Sequence, residues 1–244
     1  MKRILLYSLA LVFANNLVAQ TQIGLDVDGE AANDRSGSSV ALSNNGSIVA
    51  IGATNNSNGN GAGSGHVRVF QNLSSTWTQI GNDIDGEATG DSSGFSIALS
   101  GDGTILAIGA PNNDGNGANS GHVRVYKNIS NVWTQIGSDI NGEAANDLSG
   151  TSVSLSNDGS FLAVGAPNND GNGTDSGHVR VFQNVANTWV QVGADINGEA
   201  AGDFSGSSIS ISNDGTVLAI GALFNDGNGV DSGHVRIYKN IANV

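Results

Sequence analysis

One acidic motif recurs four times in the sequence, with the spacing of oxygen ligands around a cation. Acid or amide side chains stand at positions 1, 3, 5 and 9 of a short segment, first as "DVDGEAAND" at 26–34. Ca²⁺ takes six to eight oxygen ligands, and alternating side chains on a tightly turned backbone can supply them. We therefore predict calcium binding at the four copies. The predicted ligands are Asp26, Asp28, Glu30, Asp34, Asp83, Asp85, Glu87, Asp91, Asp139, Asn141, Glu143, Asp147, Asp195, Asn197, Glu199 and Asp203.

A second polar stretch offers oxygen ligands of the same kind. It reads "NNDGNGTDSG" at 168–177, where Asn168, Asp170 and Asn172 alternate as the ligands of a cation loop do. Its copy at 55–65, "NNSNGNGAGSG", contains no acid. Asp, Asn and Gly also fill tight turns, because they bond to their own backbone and adopt left-handed conformations. Turn formation is therefore the open alternative for both motifs, and it is favoured for this second one.

Both motifs belong to a repeat of 56 residues. The only four histidines, His66, His122, His178 and His234, are 56 residues apart. An active site breaks repeat symmetry, so we interpret these histidines as strand-start residues and the arginine two places after each as a partner for acids. The sequence contains no cysteine, and no Ser/His/Asp triad or phosphate-binding loop stands out. We therefore predict a protein that is not an enzyme.

Each repeat predicts four short strands. Within 150–195, "TSVSLS" and "HVRVFQN" alternate apolar and polar residues, as half-buried strands do. The "NDG" between strands is a hairpin signal, because Asp-Gly accepts the positive φ of a tight turn. No segment has the 3.6-residue apolar period of a helix. The pattern predicts an all-β protein, a β-propeller of four-stranded antiparallel blades, with a β-solenoid or a row of separate sheets as alternatives.

The ends of the repeats predict how the propeller closes. The blades span approximately 26–82, 83–138, 139–194 and 195–244. The last unit lacks its fourth strand, and residues 20–25 carry a fourth strand with no unit before it. This offset leaves two expectations open. Either residues 20–25 complete the last blade and lock the ring, or the chain is a fragment of a larger propeller.

Two stretches resemble FG-GAP repeats: "LSGTSVSLSNDGSFLAVGAP" at 148–167 and "FSGSSISISNDGTVLAIGA" at 204–222. Such repeats are the blades of the integrin α-subunit propeller and of many secreted bacterial proteins. The resemblance extends over the four repeats and implies a propeller used for adhesion, ligand binding or scaffolding. The acidic motif has the spacing of the integrin-type calcium loop, but its Gly stands at position 4 rather than 6. The family's calcium loop lies between the first two strands, where this chain has only the short turn "SNDGS".

Charge and the N-terminal residues indicate location and excluded partners. The formal net charge is −13, which disfavours nucleic acid and anionic membranes as partners. Residues 1–19 begin with two basic residues and continue into a short apolar run, the pattern of a secretory signal peptide. We therefore expect residues 20–244 to form a propeller that is secreted or held at the cell surface, without membrane insertion.

Nearly all acids fall in connections that would share one rim of the propeller. Only Asp102, Asp158 and Asp214 lie in the hairpins of the opposite rim. We predict that the acidic rim binds an extracellular protein or polysaccharide, as in adhesion, with calcium stabilising the fold. A spacer or scaffold module of a larger exported protein is the alternative, and a propeller hydrolase or lyase is less favoured. The oligomeric state is left open.

Overall fold

The structure is a computed structural model that describes residues 20–57 and 59–239. The signal peptide predicted at 1–19 lies outside the described residues, as do residues 240–244 of the last predicted blade. Every regular element in the described part is a β-strand. No helix long and apolar enough to cross a membrane occurs there.

The strands form four antiparallel sheets in chain order. The first sheet contains β1 (Ser36–Leu42), β2 (Ile48–Ala53), β3 (His66–Leu73), β4 (Thr76–Gln79) and β5 (Ile84–Asp85). The second contains β6 (Ser96–Leu99), β7 (Ile105–Ala110), β8 (His122–Ile129), β9 (Val132–Gln135) and β10 (Ile140–Asn141). The third contains β11 (Ser152–Leu155), β12 (Phe161–Ala166), β13 (His178–Val185), β14 (Thr188–Gln191) and β15 (Ile196–Asn197). The fourth contains β16 (Ser205–Ile211), β17 (Val217–Ala222) and β18 (His234–Lys239).

The outer strand of each complete sheet is interrupted. β3 pairs with both β4 and β5, because Phe70 lies opposite Gln79 and Val67 lies opposite Ile84. β4 and β5 are therefore two halves of one strand, separated by a bulge at 80–83. The second and third sheets repeat this arrangement. The all-β fold built from four-stranded antiparallel blades is thus confirmed, and the fourth sheet shows three of its strands within the described residues.

The turns between the first two strands are closed by their own side chains. Asp102 Oδ1 accepts hydrogen bonds from Ser100 Oγ at 2.7 Å and from the Thr104 backbone N–H at 2.9 Å. Asp158 and Asp214 make the equivalent contacts in the third and fourth sheets. These three acids therefore act as turn residues, as their Asp-Gly context indicates.

Each sheet packs face to face on the next one. We call the face towards the following sheet the forward face and the opposite one the rear face. Between the first two sheets, Val67 and Val69 of the forward face share a buried cluster with Leu106 and Ile108 of the rear face. Equivalent positions build the clusters between the second and third sheets and between the third and fourth. This stacking is that of propeller blades, none of which buries both faces alone.

A glycine in the second strand permits this close packing. A Cβ at Gly109 would overlap the carbonyl oxygen of Gly150, which belongs to the start of the third sheet. Ser96 Oγ donates a hydrogen bond to the same oxygen at 2.7 Å. The glycine of the recurring Gly-Ala pair therefore marks the place where the inner edges of neighbouring sheets meet.

The two outermost faces of the stack have no sheet against them in the described residues. On the forward face of the fourth sheet, Val235 is 64% and Ile237 is 72% exposed. On the rear face of the first sheet, Val40 and Leu42 are 66% and 60% exposed. No strand pairing within 20–57 and 59–239 joins the fourth sheet to the first. The described part is thus an arc of four sheets, and closure into a ring stays a prediction.

Residues 20–25 lie where an outer strand ahead of the first sheet would lie. Trp77 Nε1 donates a hydrogen bond to the Ile23 carbonyl at 2.8 Å. At the equivalent point between the first two sheets, Trp133 Nε1 donates to the Ile80 carbonyl at 3.0 Å, directly after β4. Residues 20–25 are therefore placed like the outer strand of a preceding sheet, and their pairing with the last blade stays a prediction.

Candidate functional site

Two sets of loops share one end of the sheets. Asn116, in the connection from the second to the third strand, donates its Nδ2 hydrogens to the carbonyls of Gly142 (2.8 Å) and Glu143 (2.9 Å). Asn172 makes the same pair of contacts one repeat later. Gly142 and Glu143 belong to the connection that leads into the third sheet. We call the end formed by these two kinds of connection the acidic rim.

The hairpins that hold the other acids meet at the opposite end. Successive hairpins are joined by backbone hydrogen bonds from Asn44 N to Gly101 O (2.9 Å), from Gly101 N to Asn157 O (2.7 Å) and from Asn157 N to Asn213 O (2.9 Å). The side chains of Asn44 and Asn157 are also hydrogen-bonded to each other. The carboxylates of the chain are therefore divided very unequally between the two ends of the stack.

Three clusters on the acidic rim bring together a Glu, a His and an Asp. Their members are Glu30, His66 and Asp83; Glu87, His122 and Asp139; and Glu143, His178 and Asp195. In each, one atom from each residue lies within 4.8 Å of the others. The histidine is buried, the aspartate half-buried and the glutamate exposed. Such a set of one imidazole and two carboxylates is chemically suited to a divalent cation.

The sheet architecture explains how each cluster forms. The histidine is the first residue of the third strand, and the aspartate lies in the bulge of the outer strand that pairs with it. His66 lies opposite Asp85 in that pairing, which brings Asp83 beside the imidazole. The glutamate comes from the connection that enters the sheet. His66 Nδ1 is 3.8 Å from both Glu30 Oε2 and Asp83 Oδ2.

In each cluster, a neighbouring side chain contacts the oxygen of each carboxylate that does not face the histidine. Asp83 Oδ1 accepts a hydrogen bond from Gln79 Nε2 at 2.6 Å, and the equivalent Gln–Asp bonds in the next two sheets are 2.7 Å. Glu30 Oε1 lies 3.8 Å from Arg68 Nη1. The guanidinium is itself fixed, since Arg68 Nη2 donates to the Asp28 carbonyl at 2.6 Å and the group lies 5.3 Å from the Phe70 ring centre. Both carboxylates are therefore oriented with one oxygen towards the histidine.

Burial controls the charge of two of the histidines. Burial and the nearby guanidinium of Arg124 lower the pKa of His122 from 6.5 to about 4. Burial and Arg180 lower the pKa of His178 from 6.5 to about 4 in the same way. Burial, followed by the charge of Asp195, raises the pKa of Glu143. The imidazoles of these two clusters are consequently neutral at pH 7, which is the state that binds a metal ion.

Two of the histidines have an unsatisfied polar atom facing the carboxylates. Nδ1 of His66 and Nδ1 of His178 are buried and have no hydrogen-bond partner. The closest approaches of these atoms to carboxylate oxygens are 3.8 Å for His66 and 3.7 Å, to Glu143, for His178, which is too long for a hydrogen bond. A buried donor or acceptor of this kind usually costs stability unless something satisfies it.

The sixteen residues predicted as calcium ligands are divided among different contacts. Asp83 and Glu87 belong to the same copy of the motif, yet Asp83 lies beside His66 while Glu87 lies beside His122. Asp91, at position 9, is buried and accepts hydrogen bonds from the Ala88 backbone N–H and Asn113 Nδ2. The other position-9 aspartates, Asp34, Asp147 and Asp203, make equivalent bonds.

Position 3 of the motif contributes mainly its backbone. The carbonyls of Asp28, Asp85, Asn141 and Asn197 each accept a hydrogen bond from an arginine Nη2 at 2.6 Å. In the first copy, the position-1 residue Asp26 accepts a hydrogen bond from Gln22 at 2.8 Å. The second and third motifs thus contribute to two successive clusters each, the first and fourth motifs contribute one residue each, and all four support the structure of their own loops. Calcium binding by the sixteen residues stays a prediction.

The fourth copy is less complete in the described part of the chain. His234 Nδ1 lies 3.6 Å from Glu199 Oε2, and His234 is a quarter exposed. A third ligand-type residue does not join this pair within 20–57 and 59–239. From the sequence the histidines were not identified as partners of the acids. A signal was nevertheless present, because a Glu precedes each histidine by 35 or 36 residues and an Asp follows each of the first three by 17.

Comparisons with known proteins agree with the sheet architecture. The FG-GAP repeat family model matches residues 84–126, 141–182 and 197–238, together just over half of the chain. Each match begins at or just before the end of one sheet's interrupted outer strand and ends in the third strand of the next sheet. A search of curated proteins gave no match.

Solved structures with a similar fold include two enzymes. Hydrazine synthase from Kuenenia stuttgartiensis is 16% identical, with a TM-score of 0.54 over 91% of this chain and 49% of that one. The periplasmic gluconolactonase PpgL from Pseudomonas aeruginosa is 15% identical, with a TM-score of 0.54 over 83% of this chain and 57% of that one. This chain therefore spans about half the length of these structures, and at such identities the likeness shows the fold alone.

Proposed function

This chain belongs to the FG-GAP repeat family, and on that premise we propose that it is an exported, non-catalytic binding module. Its acidic rim would engage an extracellular protein or a polysaccharide, as in adhesion. The alternative within the same fold is a spacer that separates or displays other domains and binds nothing through this rim. A family and a fold do not by themselves specify a function, which depends on the residues of the site.

The observation that carries this proposal is the repeated display of carboxylates on one rim. Glu87 and Glu143 are 44% and 43% exposed at their side chains, whereas Arg124 and Arg180 beside them are buried. The charged groups of these clusters that are exposed to solvent are therefore mainly negative. A partner with cationic groups at a matching spacing would contact several copies at once and gain affinity from multivalency. Complementary charge would also accelerate its association.

The repeat itself supports a non-catalytic role. Each cluster has the same residue types in the same places, so none of the three stands out as a single catalytic centre. Two of the solved structures with this fold are enzymes, but they are only 15–16% identical to this chain. Their activities therefore do not carry over to the clusters described above.

Export is proposed from the N-terminal sequence and the composition. Residues 1–19 have the basic start and short apolar run of a signal peptide, and the chain contains no cysteine. FG-GAP repeats occur typically in extracellular or periplasmic proteins. Expression in a bacterial host followed by N-terminal sequencing of the exported product would test this, since we expect cleavage near residue 19. An unprocessed cytoplasmic protein would contradict export.

The binding proposal can be tested with two matched charge variants. The rim variant combines Asp114→Asn, Asp170→Asn and Asp226→Asn, three acids outside the Glu–His–Asp clusters. Each Asp accepts a hydrogen bond through Oδ1 from a backbone N–H five residues later. The side-chain oxygen of an Asn can accept the same hydrogen bond. The control variant combines Asp102→Asn, Asp158→Asn and Asp214→Asn at the opposite end of the sheets, with the same change in net charge.

The full chain and both variants would be applied to arrays of glycans and extracellular matrix proteins. We expect a ligand whose binding weakens with salt and weakens further in the rim variant, but not in the control variant. Equal losses in both variants would show that net charge alone governs binding and would contradict a role for the rim. Binding to no array component would favour the spacer.

A further inference from the structure

We propose that the three Glu–His–Asp clusters of the acidic rim are binding sites for a divalent transition-metal ion, with Zn²⁺ as the representative ion. Each site would hold one ion through the histidine Nδ1, one oxygen of the glutamate and one oxygen of the aspartate. This differs from the calcium loop predicted from sequence, because its ligands come from three segments rather than from one. It does not depend on the proposed ligand binding by the rim.

The donor atoms are suited to this class of ion. Imidazole nitrogen is a good ligand for Zn²⁺ and related ions, whereas Ca²⁺ is coordinated by oxygen. Three protein ligands with a remaining open position are a recurring arrangement around Zn²⁺. The glutamate side chain in the first cluster is 43% exposed and the aspartate 30%, so the cluster opens to water on one side. Water would complete the coordination there.

The spacing of the donors is close to that of a zinc site. Zn²⁺ binds nitrogen and oxygen ligands at about 2.0–2.2 Å, so adjacent ligand atoms of a tetrahedral site lie roughly 3.3–3.6 Å apart. In the structure His66 Nδ1 is 3.8 Å from both carboxylate oxygens, and His178 Nδ1 is 3.7 Å from Glu143 Oε2. A contraction of a few tenths of an ångström would therefore bring these pairs to the spacing of a zinc site. The remaining donor atoms, which lie within 4.8 Å of one another in each cluster, would have to close in further.

The buried histidine nitrogen is the second, independent indication of a ligand. His66 and His178 are each 1% exposed, and their Nδ1 atoms point into the cluster without a hydrogen-bond partner. A metal ion would satisfy this atom, which is otherwise a destabilising buried polar group.

The surroundings of the clusters resemble the supporting contacts of metal sites. Gln79 Nε2 holds Asp83 Oδ1, and Arg68 faces Glu30 Oε1, which leaves Oδ2 and Oε2 directed at the histidine. Partners of this kind fix the orientation of ligands and commonly contribute 10- to 100-fold to metal affinity. The same contacts recur in all three clusters.

The test is Zn²⁺ titration by calorimetry on the full chain, purified with a chelator and carrying no histidine tag. We expect three ions per chain, one for each cluster. A variant that combines Asp83→Asn, Asp139→Asn and Asp195→Asn should lower the affinity at least tenfold, while retaining the acceptor for each glutamine. The Asp102→Asn, Asp158→Asn and Asp214→Asn variant is the matched control and should bind as the unmodified chain does.

Two further results decide the identity of the ion. Co²⁺ in place of Zn²⁺ should give the visible absorption of a nitrogen- and oxygen-ligated ion, and the aspartate variant should lose it. Millimolar Ca²⁺ should leave Zn²⁺ bound. No Zn²⁺ binding, an affinity for Zn²⁺ that is unaffected by the aspartate variant, or displacement by Ca²⁺ would each overturn the proposal. Rim ligand binding that survives the aspartate variant leaves the proposed function intact, so the two proposals fail separately.

A different observation, the two uncovered ends of the arc, carries a second inference. We infer that the forward face of the fourth sheet binds the rear face of the first sheet in another copy of this chain. Val235 and Ile237 stand where Val179 and Val181 stand in the third sheet, yet they are 64% and 72% exposed instead of 0% and 7%. The fourth sheet therefore presents the forward-face residues that pack on a rear face everywhere else in the stack.

The first sheet presents the complementary surface. Val40 and Leu42 occupy the positions of Ile97 and Leu99, which pack into the cluster between the first two sheets. A second copy would thus repeat an interface that the chain already builds three times. Residues 20–25, placed like the outer strand of a preceding sheet, would come to the side of β18 that lacks an outer strand in the described residues.

This contact is heterologous, because one end of a copy meets the other end of its neighbour. The head variant combines Val40→Glu and Leu42→Glu, and the tail variant combines Val235→Glu and Ile237→Glu. All four side chains are exposed, so the variants should fold. Sedimentation velocity should show dimers or larger species for the unmodified chain and monomers for each variant alone.

A mixture of the head and tail variants should form a 1:1 dimer, since one intact contact remains between them. Dimers of either variant alone would indicate a contact between like ends and overturn the inference. A compact unmodified monomer at all concentrations would overturn it in favour of closure within one chain. Circular dichroism of each variant would establish that its sheets are intact.

Discussion

The same Val→Ala substitution should lower the free energy of unfolding by different amounts in the third and fourth repeats. The reason is that the forward face of the fourth sheet has no sheet against it in the described residues. Val179 and Val235 occupy the same position in successive repeats, but Val179 is 0% exposed between two sheets and Val235 is 64% exposed. Val→Ala removes the equivalent of two methyl(ene) groups, worth about 0.8 kcal/mol each when buried, and a residual cavity adds to this loss. We therefore expect Val179→Ala to lower the free energy of unfolding by about 2 kcal/mol. Val235→Ala should lower it by less than about 0.5 kcal/mol, as exposed substitutions do.

The assay is urea unfolding followed by tryptophan fluorescence. Both substitutions should be made in the head variant, so that association between copies cannot bury Val235. The m-value, the slope of the free energy of unfolding against urea concentration, should be unchanged in both variants. The urea concentration at the midpoint should fall clearly only for Val179→Ala. Equal losses at the two positions would mean that Val235 is buried in solution. That result would refute an uncovered forward face on the fourth sheet.

Three further predictions test the inner edges, the histidines and the outer edges of the sheets. Gly109→Ala places a Cβ against a main-chain carbonyl of the next sheet, while Gly221→Ala meets only Ser208 of its own sheet, so thermal melts should show the larger loss for Gly109→Ala. In the presence of a chelator, His122 and His178, with pKa values lowered from 6.5 to about 4, bind fewer protons folded than unfolded. The stability that they contribute above pH 6.5 should therefore be lost as the pH falls towards 4, and urea midpoints should fall less steeply in the His122→Gln/His178→Gln variant. Trp133→Phe removes a hydrogen bond to a main-chain carbonyl of the first sheet and should cost about 1 kcal/mol in urea unfolding, and an unchanged midpoint would contradict a role for that bond.

The repeat and its strands were predictable from sequence because both follow from local patterns. Alternation of apolar and polar residues predicts a strand wherever it occurs, and Asp-Gly predicts the turn that follows it. The hairpin at Asp102 shows this directly, since the side chain closes its own turn. The expected four-stranded blade was accordingly confirmed. The interruption of the outer strand at 80–83 was not foreseen, because it exists only through pairing with β3.

The chemistry of the acidic rim was decided by tertiary structure. Asp83 and Glu87 are four residues apart, so sequence reasoning grouped them as ligands of one ion. The segment between them passes from one sheet to the next. Asp83 therefore lies beside His66, and Glu87 lies beside His122. The identity of the acids and histidines, their number and their period were thus determined by the sequence alone. Which of them meet was decided by the stacking of the sheets, because that stacking brings together residues far apart in the chain and separates near neighbours.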